Sequence, residues 1–280
     1  MTEVVIAGIG QIPVGEHYTL SLRSMGVQAL TRALKDSGGL KPDALYIGNL
    51  LSSMISHQSN LGALFTDYGR LDSIEAFTTE AAGASGAAAL RLGVLAILSG
   101  QADTVAVLGV EKWSDLVRAD AEAMITQELD YDYESIPGLT STSQAALIQQ
   151  RYLHEHDLEQ NALSGFALLA HANAVHNPFA FYPNPLTEEG YARAGMLSDP
   201  ITIFDGATYA DGAAALVLTR RELLPRGYAH PVISVMGSGA SSDALSWHDR
   251  TEPMSFTAAV RAIDQAVQQA GLSKEQIDLF

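Results

Sequence analysis

The chain contains no cysteine among its 280 residues. That excludes disulfides, thiolate-held metals and a cysteine nucleophile. Basic residues are also scarce, 16 Lys and Arg against 32 Asp and Glu, for a formal net charge of −16. A surface of that sign disfavours nucleic acid and anionic membranes, and equally an anionic ligand unless Lys and Arg are locally concentrated. No apolar run is long and charge-free enough to span a bilayer, and the first residues read as a strand, without a signal-peptide pattern. A soluble, cytoplasmic protein is therefore the expectation. Hydrophobic residues, by contrast, make up 47% of the chain, enough for a substantial core in one or two domains.

The stretch that organises the rest is Glu75–Asp115. Glu75–Thr79 is short and β-prone, Ala81–Gly86 is a run of small residues, and Ala87–Leu98 is helical in composition and apolar nearly all round. Such a helix is expected to be internal. Gly100 stops it, and Thr104–Leu108 is a continuous apolar strand. Small residues where a helix begins let a ligand approach the N–H groups there, which with the helix dipole favour developing negative charge.

In chain order, Val4–Ile9 reads as a strand, Leu20–Ser37 as an amphipathic helix closed by Gly38-Gly39, Ala44–Gly48 as a strand and Asn60–Tyr68 as a short helix. The Gly8-x-Gly10 pair is not a dinucleotide loop, because its third glycine, Gly15, follows a proline and opens no helix. The C-terminal end repeats this opening. Val232–Met236 with its following glycines, a helix over Phe256–Ala270, Gly271-Leu272, and an apolar Ile277–Phe280 match it in order and spacing. The second copy stops in mid-strand, so its sheet needs more chain, another polypeptide or a different fold. Between the copies, roughly Leu116–Pro200 is an insertion. It holds irregular chain around Tyr131–Gly138, a helix Ser143–His154 capped by Ser141 or Thr142, and a second helix Glu159–His176 ended by Asn177-Pro178. Tyr209–Gly212 reads as a turn before a last strand, Ala213–Thr219.

Glu75–Asp115 resembles the nucleophile helix of the thiolase superfamily, whose motif sets Cys, Ala, Ser and Gly at the helix start, then Gly-x-Ala-Asp, an apolar strand and Gly-x-Glu. Ala84-Ser85-Gly86, Gly100-Gln101-Ala102-Asp103 and Gly109-Val110-Glu111 match, and Gly83 occupies the position of the Cys. His171-Ala172-Asn173-Ala174 with Asn177-Pro178, and Met196–Leu218 with Asp211-Gly212-Ala213-Ala214-Ala215, are similar to the sterol-carrier-type and archaeal-type members. The resemblance implies an α/β, thiolase-like fold of duplicated β–α–β–α–β units, with mixed sheets, helix layers and an inserted loop domain. The first repeat would cover 1–115, the loop domain 116–200, the return strand 201–222 and an incomplete second repeat 231–280. It further implies a coenzyme A thioester as ligand, reached through the loop domain. It also implies a homodimer or hetero-oligomer with Thr78-containing strands at a two-fold axis. In some relatives it implies an OB-fold partner. No metal and no covalently bound cofactor are expected. The family's second-half groups, an Asn or His motif, a later His and a Cys in a Gly-rich loop, have no counterpart here.

Glycine cannot be acylated, so covalent acyl transfer at position 83 is excluded. What remains at Gly83 is a backbone N–H able to donate to a thioester oxygen, or else a residue that merely packs closely. Ser85 is a weak candidate nucleophile and more simply a hydrogen-bonding partner of the helix backbone. Glu80 reads as an acceptor for the first N–H groups, and His57 as a loop residue facing a cleft or a partner. His154 and His156 diverge on a helix and make no metal signature. His171 and His176 read as helix-end hydrogen-bonding groups, Trp113 and Trp247 as packing residues, and Tyr131 and Tyr133 as packing or surface residues. Three functions stand open: a retro-aldol carbon–carbon lyase acting on acyl-CoA, a non-catalytic acyl-CoA-binding subunit, and ordinary acetyl-CoA acetyltransferase activity, which the glycine disfavours.

Overall fold

The computed structural model describes residues 2–279, with Arg118 described by its backbone alone. Strand β1 (Val4–Gln11) leads through a loop to helix α1 (Leu22–Asp36), then β2 (Ala44–Gly48), the short α2 (Ser52–Ile55), α3 (Leu61–Gly69) and β3 (Glu75–Thr79). Helix α4 (Ser85–Leu98) and strand β4 (Thr104–Glu111) complete the organising stretch. The segment expected to be an insertion holds α5 (Arg118–Ile125), α6 (Ser141–Glu155), α7 (Ser164–Ala174), α8 (Glu188–Ala192) and a small hairpin, β5 (Met196–Ser198) with β6 (Ile201–Thr202). The chain returns through β7 (Gly212–Arg220) and ends with β8 (Ile233–Ser234) and α9 (Thr257–Ala270).

The main sheet has the order β3-β2-β4-β7-β1-β8. β2 runs parallel to β3 and β4, while β7 is antiparallel to both β4 and β1, which makes the sheet mixed. Both faces are covered, and this is why its strands read as unbroken apolar runs rather than alternating ones. Leu45, Ile47, Ala106 and Leu108 face one core with Met25, Leu30 and Phe65 of α1 and α3. Ala44, Tyr46, Val105 and Val107 face the other with Ala89, Val94 and Ile97 of α4. β3 is one of the two edge strands, and its exposed Phe77 stacks on Tyr46 with ring centroids 6.3 Å apart.

Gly8 and Gly10 are contact points between strand and helix. A Cβ on Gly8 would strike the Ala33 carbonyl, and one on Gly10 the Ala29 carbonyl of α1. Gly237 and Gly239 stand in the same relation to the Ala266 and Ala262 carbonyls of α9. A glycine pair pressed against helix carbonyls four residues apart thus occurs at both ends of the chain.

Several expectations are corrected. α4 starts at Ser85 and is not internal: Ala89, Gly93, Val94 and Ile97 pack on the sheet, but Leu92, Leu95 and Leu98 are 39%, 45% and 51% exposed because no described element covers that face. The second apolar strand of the C-terminal copy does not form through Leu279, and Phe280 lies outside the described residues. β8 is only two residues long and pairs antiparallel with β1, extending the existing sheet. The cap of α6 is Thr140, in a box with Ser143, while Ser141 donates instead to Glu128 at 2.6 Å. Tyr131–Ser135 is a π-helical turn rather than irregular chain, α7 begins only at Ser164, and Gly212 already belongs to β7.

Candidate active site

Between β3 and α4 the chain makes a tight turn, Ala82–Ala84, that feeds the helix. Ala82 sits at φ +47°, a left-handed conformation that disfavours any side chain with a Cβ. Two side chains hold the turn. The Ser85 hydroxyl accepts the Ala81 N–H at 2.9 Å and donates to the Ala82 carbonyl at 2.7 Å. The Glu80 carboxylate accepts the Ala82 N–H at 2.5 Å. Ser85 is buried and both its hydrogen-bonding directions are occupied within the turn, so the geometry gives it a structural part.

Gly83 lies at the apex of this turn and is exposed. A Cβ built on it would meet nothing within 4 Å, and its φ lies outside the left-handed region. Close packing therefore does not explain the glycine. The fold has room for a side chain at this position, and the sequence leaves that room empty at the start of a 14-residue helix.

A second set of features lies around the inserted segment. A cavity of 1020 Å³ is lined by Leu163, Phe166, His171, Tyr182, Ile203 and Phe204 and is mostly apolar. His171 is fixed in its wall, with Nδ1 3.0 Å from the Asn184 carbonyl and its ring edge-on to Phe204 at 5.6 Å. A smaller, more polar cavity of 330 Å³, lined by Glu16, Tyr18, Trp113 and Tyr209 among others, shares Tyr182, Ile203 and Gly206–Thr208 with it. Trp113 is buried and stacks on Tyr209 at 5.0 Å. The Gly83 turn is in the wall of neither cavity.

Three buried charged groups were not legible as such. Asp211, with no exposed surface, accepts N–H groups of Trp113 (2.6 Å), Ser114 (2.8 Å) and His17 (2.7 Å). The buried Lys112 ammonium lies 3.4 Å from Asp211, 3.2 Å from Asp115 and 2.7 Å from the Ser114 hydroxyl. Burial alone would push the Asp211 carboxyl up, but the bonds from Ser114, His17 and Trp113 outweigh it and hold the carboxyl below the ordinary range. Glu134, also buried, accepts the N–H groups of Asp130 (3.0 Å) and Trp247 (2.9 Å) and the Gln144 amide (3.1 Å). The signal in the sequence was slight: Lys112 interrupts an apolar strand end, and Asp211 precedes a glycine at a strand start.

The other sequence candidates are scattered. His154 lies in the last turn of α6 and His156 caps it, its ring 4.5 Å from Tyr152. Tyr131 and Tyr133 are exposed, and His57 borders a separate cleft near α1. Among the described residues no cluster of three or more His, Asp or Glu is arranged to hold a metal, and no helix is long and apolar enough to cross a membrane.

Residues 4–182 match the family model described as the N-terminal domain of thiolase. The chain is similar to an acetyl-CoA acetyltransferase of Methanothermobacter thermautotrophicus, 33% identical over all of this chain and 73% of the relative. It is also similar to a 17-hydroxy-3-oxo-4-pregnene-20-carboxyl-CoA lyase of Mycobacterium tuberculosis, 26% identical over 58% of this chain and 44% of that one. Among solved structures, an aldolase described as Ltp2-ChsH2(DUF35) superposes with a TM-score of 0.82 at 22% identity, covering 98% of this chain and 71% of the other. An acetyl-CoA acetyltransferase from Syntrophomonas wolfei superposes with a TM-score of 0.77 at 16% identity, covering 99% and 78%.

Proposed function

The chain belongs to the thiolase family, and on that footing we propose that it handles acyl-CoA thioesters without forming an acyl-enzyme, as a carbon–carbon lyase working by retro-aldol cleavage. The observation that carries this reading is Gly83. We match Gly83 to the cysteine of the family's motif, and the turn that carries it is held by Ser85 hydrogen bonds but offers no reacting side-chain atom. A retro-aldol step needs no atom there. A base takes the proton of the β-hydroxyl, the Cα–Cβ bond breaks as a carbonyl forms, and the electron pair passes to the thioester as an enolate that is then protonated. What the step requires is a base and a donor for the enolate oxygen, and the N–H groups at the start of α4 suit the second need. The lyase and aldolase among its relatives support the same reading. The base is assigned to a partner chain of the OB-fold type or to a further part of the assembly, and the large apolar cavity beside His171 suits an acyl group or the arm of coenzyme A.

The test uses purified chain with and without its co-purifying partner. Acetoacetyl-CoA with coenzyme A is expected to give no thiolysis in either case, and a β-hydroxyacyl-CoA is expected to be split only with the partner present. Clear thiolytic turnover by the chain alone would overturn the reading. A thiolase subunit from Thauera aromatica, 26% identical over 99% of this chain, supports a place in a multi-subunit assembly, and with Gly83 in view a second reading is that of a subunit that binds acyl-CoA but does not react. Acyl-CoA binding by the complex with no role for this chain in product formation would select it.

A further inference from the structure

The wall of the 1020 Å³ cavity beside α7 is mostly hydrocarbon. Phe166 and Ile203 in that wall are exposed, so apolar surface stands open there for a ligand to cover. In a cavity of this kind the few polar groups fix which ligand is taken and how it lies. The carboxylate of the wall, Asp205, is already engaged, by the Tyr191 hydroxyl at 2.8 Å and the Thr202 N–H at 2.7 Å. His171 is engaged on one side only. Its Nδ1 lies 3.0 Å from the Asn184 carbonyl, and a carbonyl can only accept. Nδ1 therefore carries the proton of the neutral ring, and Nε2 keeps its lone pair. Nε2 has no hydrogen-bond partner among the described residues, and it is not one of the unpaired atoms shut off from solvent. The ring is held in place at its other edge, against Phe204.

A fixed tautomer, an open acceptor nitrogen and an apolar wall together describe a ligand, an apolar body with a neutral hydrogen-bond donor. We infer that the His171 Nε2 accepts a hydrogen bond from a hydroxyl on an otherwise apolar molecule held in this cavity, and so selects what the cavity takes. A hydrocarbon or an ether in the same place leaves that nitrogen unpaired against apolar atoms. The Gly83 turn is in the wall of neither cavity, so this bond is one of recognition and not the proton transfer of the cleavage step. The inference rests on the reading of this cavity as a ligand site and not on the lyase chemistry.

The full chain is titrated with 2-naphthol and with 2-methoxynaphthalene, two aromatic probes of similar shape of which only the first can donate, and binding is followed by ligand-detected NMR. Saturable binding of 2-naphthol is expected, and its affinity relative to the ether should fall about fivefold or more in His171→Asn. The asparagine amide keeps a donor where Nδ1 met the Asn184 carbonyl and removes Nε2. Should that variant fail to fold, the imidazole ¹⁵N resonances of His171 in the unaltered protein read the same contact. Nε2 is expected at the downfield position of an unprotonated nitrogen, and should move upfield with 2-naphthol and stay in place with the ether. No saturable binding of 2-naphthol, an unchanged affinity ratio in a well-folded His171→Asn protein, a proton on Nε2 of the neutral ring, or an Nε2 resonance unmoved by 2-naphthol would overturn the inference. No thioester is present, so each of these results leaves the lyase reading standing, and thiolytic turnover by the chain would leave the His171 assignment standing in turn.

Discussion

Asp211 and Lys112 face each other across 3.4 Å in the interior, where β4 ends and β7 begins, and three backbone N–H groups converge on the same carboxylate. Gly15 is bonded to the Asp211 backbone in both directions as well, so one residue ties together the loop after β1, the end of β4 and the start of β7. The pair lies directly behind Trp113 and thus behind the wall of the smaller cavity.

Asp211→Asn is expected to destabilise the fold by about 3–5 kcal/mol, the usual result of removing one member of a buried ion pair. The pH dependence has a definite sign. The folded-state carboxyl is held below its ordinary value, so its contribution is present above the unfolded pKa, about 3.9, and is lost as pH falls through the lower folded value. Chemical denaturation from pH 7 downward should therefore show the gap between wild type and Asp211→Asn closing below about pH 4. A gap that is constant, or that widens in acid, would contradict the assignment.

Position 83 should accept a side chain. With nothing within 4 Å of a Cβ, Gly83→Ala is expected to change stability by no more than about 1 kcal/mol, in either direction. Gly83→Cys creates the sole thiol of the protein, since the chain has no other cysteine. Its thiolate absorbance, titrated near 240 nm, should place the pKa below the ordinary value of about 8.5, because the start of a helix favours the anion. A loss of several degrees in melting temperature would show that the turn is not open, and a thiol titrating at or above the ordinary value would show that the helix start does not outweigh the nearby Glu80 carboxylate.

Much of this was readable in the chain. β2 and β3 have the bounds their composition indicates, because short apolar or β-branched runs between glycines and turn residues leave few alternatives. The bend at Gly83 was legible through Ala84-Ser85-Gly86, a local pattern. The burial of α4 was not, because composition shows that a face is apolar but not whether anything lies against it. The capping of α6 by Thr140 rather than its neighbours depends on a single backbone register, finer than sequence pattern resolves. Asp211, Lys112 and Glu134 are joined by contacts between segments about 100 residues apart, and such pairs leave no local trace.

The two glycine pairs should respond differently to the same change. Gly10→Ala drives a methyl into the Ala29 carbonyl where β1 packs on α1 and should cost about 1–3 kcal/mol of global stability. Gly239→Ala meets the Ala262 carbonyl in an equivalent way, but α9 has no buried residue. Its expected effect is local opening of α9, seen as faster amide exchange over 257–270 with the rest of the sheet unchanged. Uniform loss of protection across the sheet in Gly239→Ala would show that α9 belongs to the same cooperative unit as α1.

Glu134 joins the inserted segment to the C-terminal end. It accepts from Asp130 in its own turn, from Gln144 of α6, and from the Trp247 N–H more than 100 residues away. Glu134→Ala leaves all three donors without that acceptor. Water can reach the outer ones, so the expected loss is about 2 kcal/mol rather than the sum of three buried bonds. Because the Trp247 contact crosses between segments, the loss should be uneven: amides at 246–250 should exchange faster, and the near-ultraviolet signal of Trp247 should weaken, while exchange in β1, β4 and β7 stays as it was. Glu134→Gln keeps an acceptor oxygen for only part of the set and should fall between the two. If 246–250 keeps its protection in Glu134→Ala, the segment is held by other contacts, such as the Trp247 indole on the Pro253 carbonyl at 3.4 Å, and the carboxylate serves the inserted segment alone.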